Sequence, residues 1–136
     1  MAAVYGEERV NYYTNDFQYN PQAAGLVGGA YVLTWISRGQ DGAVDGIYAQ
    51  RYNASGSAVG AEFQVNTQTA GSQVDPAITG LADGGFVIAW SDPNGDGSES
   101  GVYAQRYDAA GIAQGGQFRL NTHTVSNQYV PDLAAF

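Results

Sequence analysis

The feature that most constrains this chain is internal duplication. Gly46-Ile47-Tyr48-Ala49-Gln50-Arg51-Tyr52-Asn53 returns as Gly101-Val102-Tyr103-Ala104-Gln105-Arg106-Tyr107-Asp108, 55 positions later (103 less 48). The same offset carries Tyr31-Val32-Leu33-Thr34-Trp35 onto Phe86-Val87-Ile88-Ala89-Trp90, and Phe63-Gln64-Val65-Asn66-Thr67 onto Phe118-Arg119-Leu120-Asn121-Thr122. Self-similarity at a fixed period means that one supersecondary unit is built more than once and buries its apolar faces against its own neighbours.

Helical periodicity is missing, and Gly, Asn, Asp and Pro punctuate the chain at short intervals, so the unit is all-β. Four strands are expected in each copy. In the second copy strand A covers 75–81, the turn Ala82-Asp83-Gly84-Gly85 supplies the positive φ that a short hairpin needs, and strand B covers 86–90. Strand B is apolar on both faces, which calls for cover on both sides. Strand C, 102–108, puts Tyr103, Gln105 and Tyr107 on one face and Val102, Ala104 and Arg106 on the other, and strand D covers 117–121. A tandem of such meanders reads as β-propeller-like blades. Arg51 and Arg106, mid-strand in a cation-poor chain, are each expected to bond loop carbonyls or a carboxylate.

The passage from D to A occurs three times: Asn11, Thr14, Gln18 and Pro21 match Asn66, Thr69, Gln73 and Pro76, and again Asn121, Thr124, Gln128 and Pro131. The chain therefore runs D, ABCD, ABCD, A, ten expected strands in about two and a half repeats. We read a single repeat domain over 1–136, with a partial repeat at 6–24 and full repeats at 25–79 and 80–134. Two blades cannot close a ring of the usual four to eight. The expectation is a ring completed by homo-oligomerisation through the unpaired terminal strands. Excision from a longer array and a private ten-stranded sandwich are the alternatives.

A net charge of −8 with five Lys plus Arg excludes the cationic face that nucleic acid or an anionic membrane surface demands. No apolar run approaches the roughly 20 residues of a spanning helix, so membrane insertion is not expected either. There is no cysteine, hence no disulfide. The acidic, Gly-rich, Lys-free composition fits an extracellular or cell-surface protein, although the first residues lack the basic start of a secretory signal.

Two candidate sites follow. Asp92-x-Asn94-x-Asp96-Gly97, in the loop between B and C, sets three oxygen side chains at alternate positions of a tight turn, an arrangement that suits calcium. It is not an EF-hand, since Tyr103 stands at the twelfth position, and it resembles the loop of integrin-type FG-GAP blades at its first three ligand positions. The first repeat keeps the complementary pair Asp41 and Asp45. A plain Asn/Asp/Gly turn is the alternative for both loops. The second candidate is a glycan site. Asn66, Thr69, Gln73 and their equivalents Asn121, Thr124 and Gln128 could meet sugar hydroxyls, with Trp35 or Trp90 offering a ring. Against it stands turn chemistry, in which Asn and Thr cap the turn and Gln bonds loop carbonyls. Nothing repeated supports catalysis: His123 replaces Gln68, and no nucleophile or carboxylate pair follows the repeat.

At the level of whole units the sequence resembles a tandem repeat of very large secreted bacterial proteins of the calcium-binding, RTX-like and adhesin type. The residues that carry the resemblance are Pro76 to Trp90, Gln40-Asp41-Gly42, Gly101 to Asp108 and Glu62 to Thr67. It implies a spacer, an adhesive module or a lectin. The expected function is a non-enzymatic, multivalent carbohydrate-binding (lectin-like) protein assembled from propeller blades. The alternative is a structural or adhesive repeat of a larger surface protein, with calcium as the candidate stabilising ion.

Overall fold

The computed structural model describes residues 6–42, 44–93, 100–122 and 130–134. The duplication becomes two antiparallel four-stranded sheets, each a meander in sequence order. Sheet 1 contains β1 (Gln18–Gly25), β2 (Tyr31–Arg38), β3 (Asp45–Tyr52) and β4 (Ala58–Gln64), with a short 3-10 turn (Val27–Gly29) between the first two. Sheet 2 contains β5 (Val74–Gly80), β6 (Phe86–Asp92), β7 (Gly101–Tyr107) and β8 (Phe118–Arg119).

The hairpins obey their turn residues. Gly84, at φ +86°, makes the reversal before β6, and the Asp83 carboxylate accepts the Gly85 N–H at 2.9 Å. After β3, Asn53 Oδ1 accepts the N–H groups of Ser55 and Ser57, and after β7 Asp108 Oδ1 accepts those of Ala110 and Ile112. One Asx turn thus serves both repeats.

The sheets pack on each other around one apolar core. Sheet 1 contributes Val32, Ile36, Ile47 and Ala49, with Phe63 beside them, all from one face of its register. Sheet 2 contributes Phe86, Ile88, Trp90 and Tyr107, with Tyr103 beside them. In repeat terms these are opposite faces, because Val32 corresponds to Val87 whereas Phe86 corresponds to Tyr31. A sandwich would join like faces and close itself. This contact joins unlike faces, so each sheet keeps one face that has a counterpart elsewhere in the molecule.

Contacts made by Phe63, Val65 and Arg51 help to tie the sheets. Phe63 lies against Tyr107 with ring centroids 5.3 Å apart, Val65 is 2% exposed, and Arg51 reaches across to the β7–β8 turn. There its guanidinium donates to the carbonyls of Ala110 and Ala109, the latter at 2.6 Å. Gly111 makes room: a Cβ there would stand 2.7 Å from Arg51 Cδ.

Two expectations require correction. The opening D strand expected within the partial repeat at 6–24 does not form, since residues 6–17 carry no strand among the described residues, and neither do residues 131–134 of the closing A strand. Eight strands form among the described residues rather than ten. A segment with D-strand sequence has no ladder to join unless a C strand lies beside it, and among the described residues none pairs with residues 6–17. Among the described residues no sheet closes on itself.

Candidate functional site

The D-to-A passage is a hydrogen-bonded tie. Asn66 Oδ1 accepts the Ile47 N–H at 2.8 Å, while its Nδ2 donates to Gln68 O at 2.8 Å and to Gln73 Oε1 at 2.9 Å. Gln73 Nε2 in turn donates to Ala70 O at 3.2 Å. Asn66 and Gln73 are 3% and 0% exposed. The first copy repeats the tie, Asn11 donating to Tyr13 O and Gln18 Oε1, and Gln18 to Asn15 O. In the third, Asn121 Oδ1 accepts the Val102 N–H at 2.8 Å. These amides are occupied in turning the chain from one unit to the next, so a sugar hydroxyl at Asn66 or Gln73 would have to displace a buried bond. Thr69 is exposed, and Thr124 and Gln128 lie outside the described residues.

The first two passages are also held by the D strand of the following unit. Gln117 Oε1 accepts the Thr67 N–H at 2.7 Å and hydroxyl at 2.8 Å, and Glu62 accepts the Tyr12 N–H at 2.7 Å. Residues 10–18 therefore sit on sheet 1 as residues 65–73 sit on sheet 2, although among the described residues no strand forms before them.

The carboxylates of the first B-to-C loop have separate partners. Asp45, 4% exposed, meets Arg38 Nε at 3.1 Å and Ser72 Oγ at 3.1 Å. Burial alone would push its pKa up, but hydrogen bonds from Arg38, Ser72 and Tyr19 outweigh it and hold the carboxyl below its ordinary value. Asp41 accepts from Gln64 Nε2 at 2.9 Å. Asp92 is buried at the end of β6, and Asn94 and Asp96 lie outside the described residues. Among the described residues no group of three His, Cys, Asp or Glu comes together.

Trp35 and Trp90 are buried at equivalent places, and neither indole N–H has a partner. Because Trp90 shares this in the middle of the core, the unpaired Nε1 belongs to the repeat plan rather than to a site. The faces around them differ. Trp90 and Tyr107 are covered by sheet 1, whereas Trp35, Leu33, Tyr31 and Tyr52 are covered by residues 6–12. Between that segment and sheet 1 lie clefts of about 330 and 350 Å³, bordered by Glu8, Val10, Asn11, Gln18, Tyr19 and Ser55 among others.

Two features escaped the sequence reading. Asn20, Asp75 and Val130, each just before a proline and 55 residues apart, all have positive φ, +54°, +53° and +59°. In β1 and β5 this residue shifts the strand register. The three positions border one open cleft of about 370 Å³ with Gln22, Ala77 and Asp132. The signal available was the equal spacing of Pro21, Pro76 and Pro131. The second feature is Gln50 and its equivalent Gln105. Both are buried, and their Nε2 groups donate to Gly60 O and Gly115 O, each at 3.1 Å.

No helix among the described residues is long and apolar enough to cross a membrane. No protein-family model, curated protein or solved structure matches the chain.

Proposed function

We propose that this chain is a non-enzymatic repeat module whose work is blade stacking, a structural or adhesive element of the extracellular or cell-surface kind. One observation carries the reading: the contact between the sheets joins unlike faces, a geometry that propagates along an array instead of closing on itself. The convergence of the three pre-proline residues Asn20, Asp75 and Val130 on one cleft supports a propeller-like arrangement with the A segments innermost. The buried bonds of Asn66 and Gln73 favour a structural use of the repeated polar passage.

A second reading, the lectin, is favoured by the clefts beside sheet 1. There the stacked Tyr31–Tyr52 pair, 5.0 Å between centroids, stands near Glu8 and Ser55, an apolar wall with a polar rim that suits a sugar ring. Calcium stays with the loop that opens at Asp92. A glycan array probed with and without chelator separates the readings. Stacking alone predicts no retained sugar, and a sugar held at micromolar strength and lost in Tyr52→Ala would overturn it in favour of the lectin. Unfolding on chelation would assign the loop a calcium ion.

A further inference from the structure

We propose that the outer face of sheet 2 is a docking surface for a second copy of this chain, received on the outer face of that copy's sheet 1. The proposal rests on the stacking reading and names the partner and the contact. Its template is inside the molecule. Phe63 and Val65 of sheet 1 seal against sheet 2, and Arg51 holds the turn after β7. The equivalents on sheet 2 are present but uncovered. Phe118 and Leu120 are each 45% exposed, and the Arg106 side chain is 51% exposed. At the β6 side of this face the Val130 N–H donates to Ser91 Oγ at 2.9 Å, and Ala89 and Ala104 at its centre are buried, so the open part is the side of Arg106, Phe118 and Leu120.

The receiving seat is formed on sheet 1. Tyr31 stacks on Tyr52 at 5.0 Å and 9°, as Phe86 stacks on Tyr107 at 4.8 Å and 15°. The turn after β3 has the same bonds as the turn after β7, with the Gly56 N–H on Asn53 O at 3.0 Å and the Gly111 N–H on Asp108 O at 2.9 Å. The difference is the occupant. Arg51 fills the space over Gly111, whereas a Cβ on Gly56 would meet nothing closer than Tyr31 Oη at 3.6 Å. In the docked pair the Arg106 guanidinium donates to the carbonyls of Ala54 and Ser55, and the Phe118 ring lies on Tyr52.

What stands in the seat is replaceable. Val10 occupies the repeat position of Val65, but Glu8 stands where Phe63 would be, a carboxylate in place of a ring. Among the described residues, residues 6–10 make one hydrogen bond to the sheet, from Tyr52 Oη to Val10 O at 3.5 Å. Neither they nor residues 131–134 of the docking copy belong to a strand, and both give way to the incoming sheet. Arg106 meanwhile pairs with Asp83 at 2.7 Å, a half-exposed ion pair that is easily exchanged.

The chain has no cysteine, which makes crosslinking clean. Arg106→Cys combined with Ser55→Cys, treated with a short bifunctional thiol crosslinker, is expected to give a ladder of dimers and higher species. Arg51→Cys with Ala110→Cys is the control that closes within one chain. In parallel, sedimentation of the full chain over rising concentration is expected to show masses above 14.3 kDa. Phe118→Glu should weaken that association at least about tenfold. A working control with no ladder, or association untouched by Phe118→Glu, would overturn the proposal, the latter in favour of pairing through terminal edges. A strict monomer would overturn it too. The stacking reading itself stands or falls separately, on the glycan array.

Discussion

Sheet 1 and sheet 2 are built from nearly the same residues, yet their equivalent side chains live in different surroundings. Phe86 is wholly buried and Tyr31 half-buried; Val65 is sealed and Leu120 is 45% exposed; Arg51 grips two carbonyls and Arg106 an exposed aspartate. The D strand shrinks from Ala58–Gln64 to Phe118–Arg119 where no second sheet rests against it. The sequence of a repeat sets its hydrogen-bonded frame, and its neighbour sets how much of that frame is buried.

Matched substitutions sharpen this contrast. The largest gap is expected between Phe86→Ala and Tyr31→Ala. The first empties the middle of the shared core and should cost about 3–5 kcal/mol in urea unfolding, against roughly 1–2 for the second. Equal costs would break the comparison. Next is Asn66→Ala, which leaves the Ile47 N–H and Gln73 Oε1 without their partner and should cost about 2–3 kcal/mol. Asn11→Ala, half-buried, should cost about 1. Arg51→Ala should cost roughly 1–2 kcal/mol and Arg106→Ala at most about 0.5, since only the first joins the sheets.

The smallest effects near neutrality come from ionisation. Burial first, then nearby Asp41 and Glu62, push the Tyr48 hydroxyl from 10.0 up to about 12, and burial raises Tyr107 as well. The folded state favours their neutral forms, so this stability is complete below pH 10 and drains as pH climbs toward 12. Asp45 behaves oppositely. Its lowered carboxyl contributes above the ordinary value of 3.8 and ceases to as pH falls through its folded value. Urea midpoints at neutral, acid and alkaline pH check both limbs, and Asp45→Asn should flatten the acid one alone.

Much of this was legible in the chain. The spacing located both meanders, the Asp-Gly-Gly turn before β6 and the carbonyl or carboxylate partners of the two arginines. The direction of stacking was not legible, because strands apolar on both faces do not say which face meets which. Nor was the fate of residues 6–17, whose D-strand sequence needs a neighbouring C strand that no local pattern supplies. For the passage around Asn66 and Gln73, both the sugar-facing and the turn-capping readings fit the residue types. Burial, which only tertiary structure sets, shows the amides facing each other. The pre-proline φ of Asn20 and Asp75 runs against the usual preference of that position, so spacing hinted at a repeated device without naming it.

The central claim is that the two sheets share one core and therefore fold as one unit. Each sheet carries a single tryptophan, so Trp35→Phe leaves a fluorescence reporter in sheet 2 and Trp90→Phe leaves one in sheet 1. In urea, fluorescence and far-ultraviolet circular dichroism should trace one transition with a common midpoint within each variant. A tryptophan signal that melts apart from the backbone signal would contradict the shared core and leave two sheets that merely adjoin.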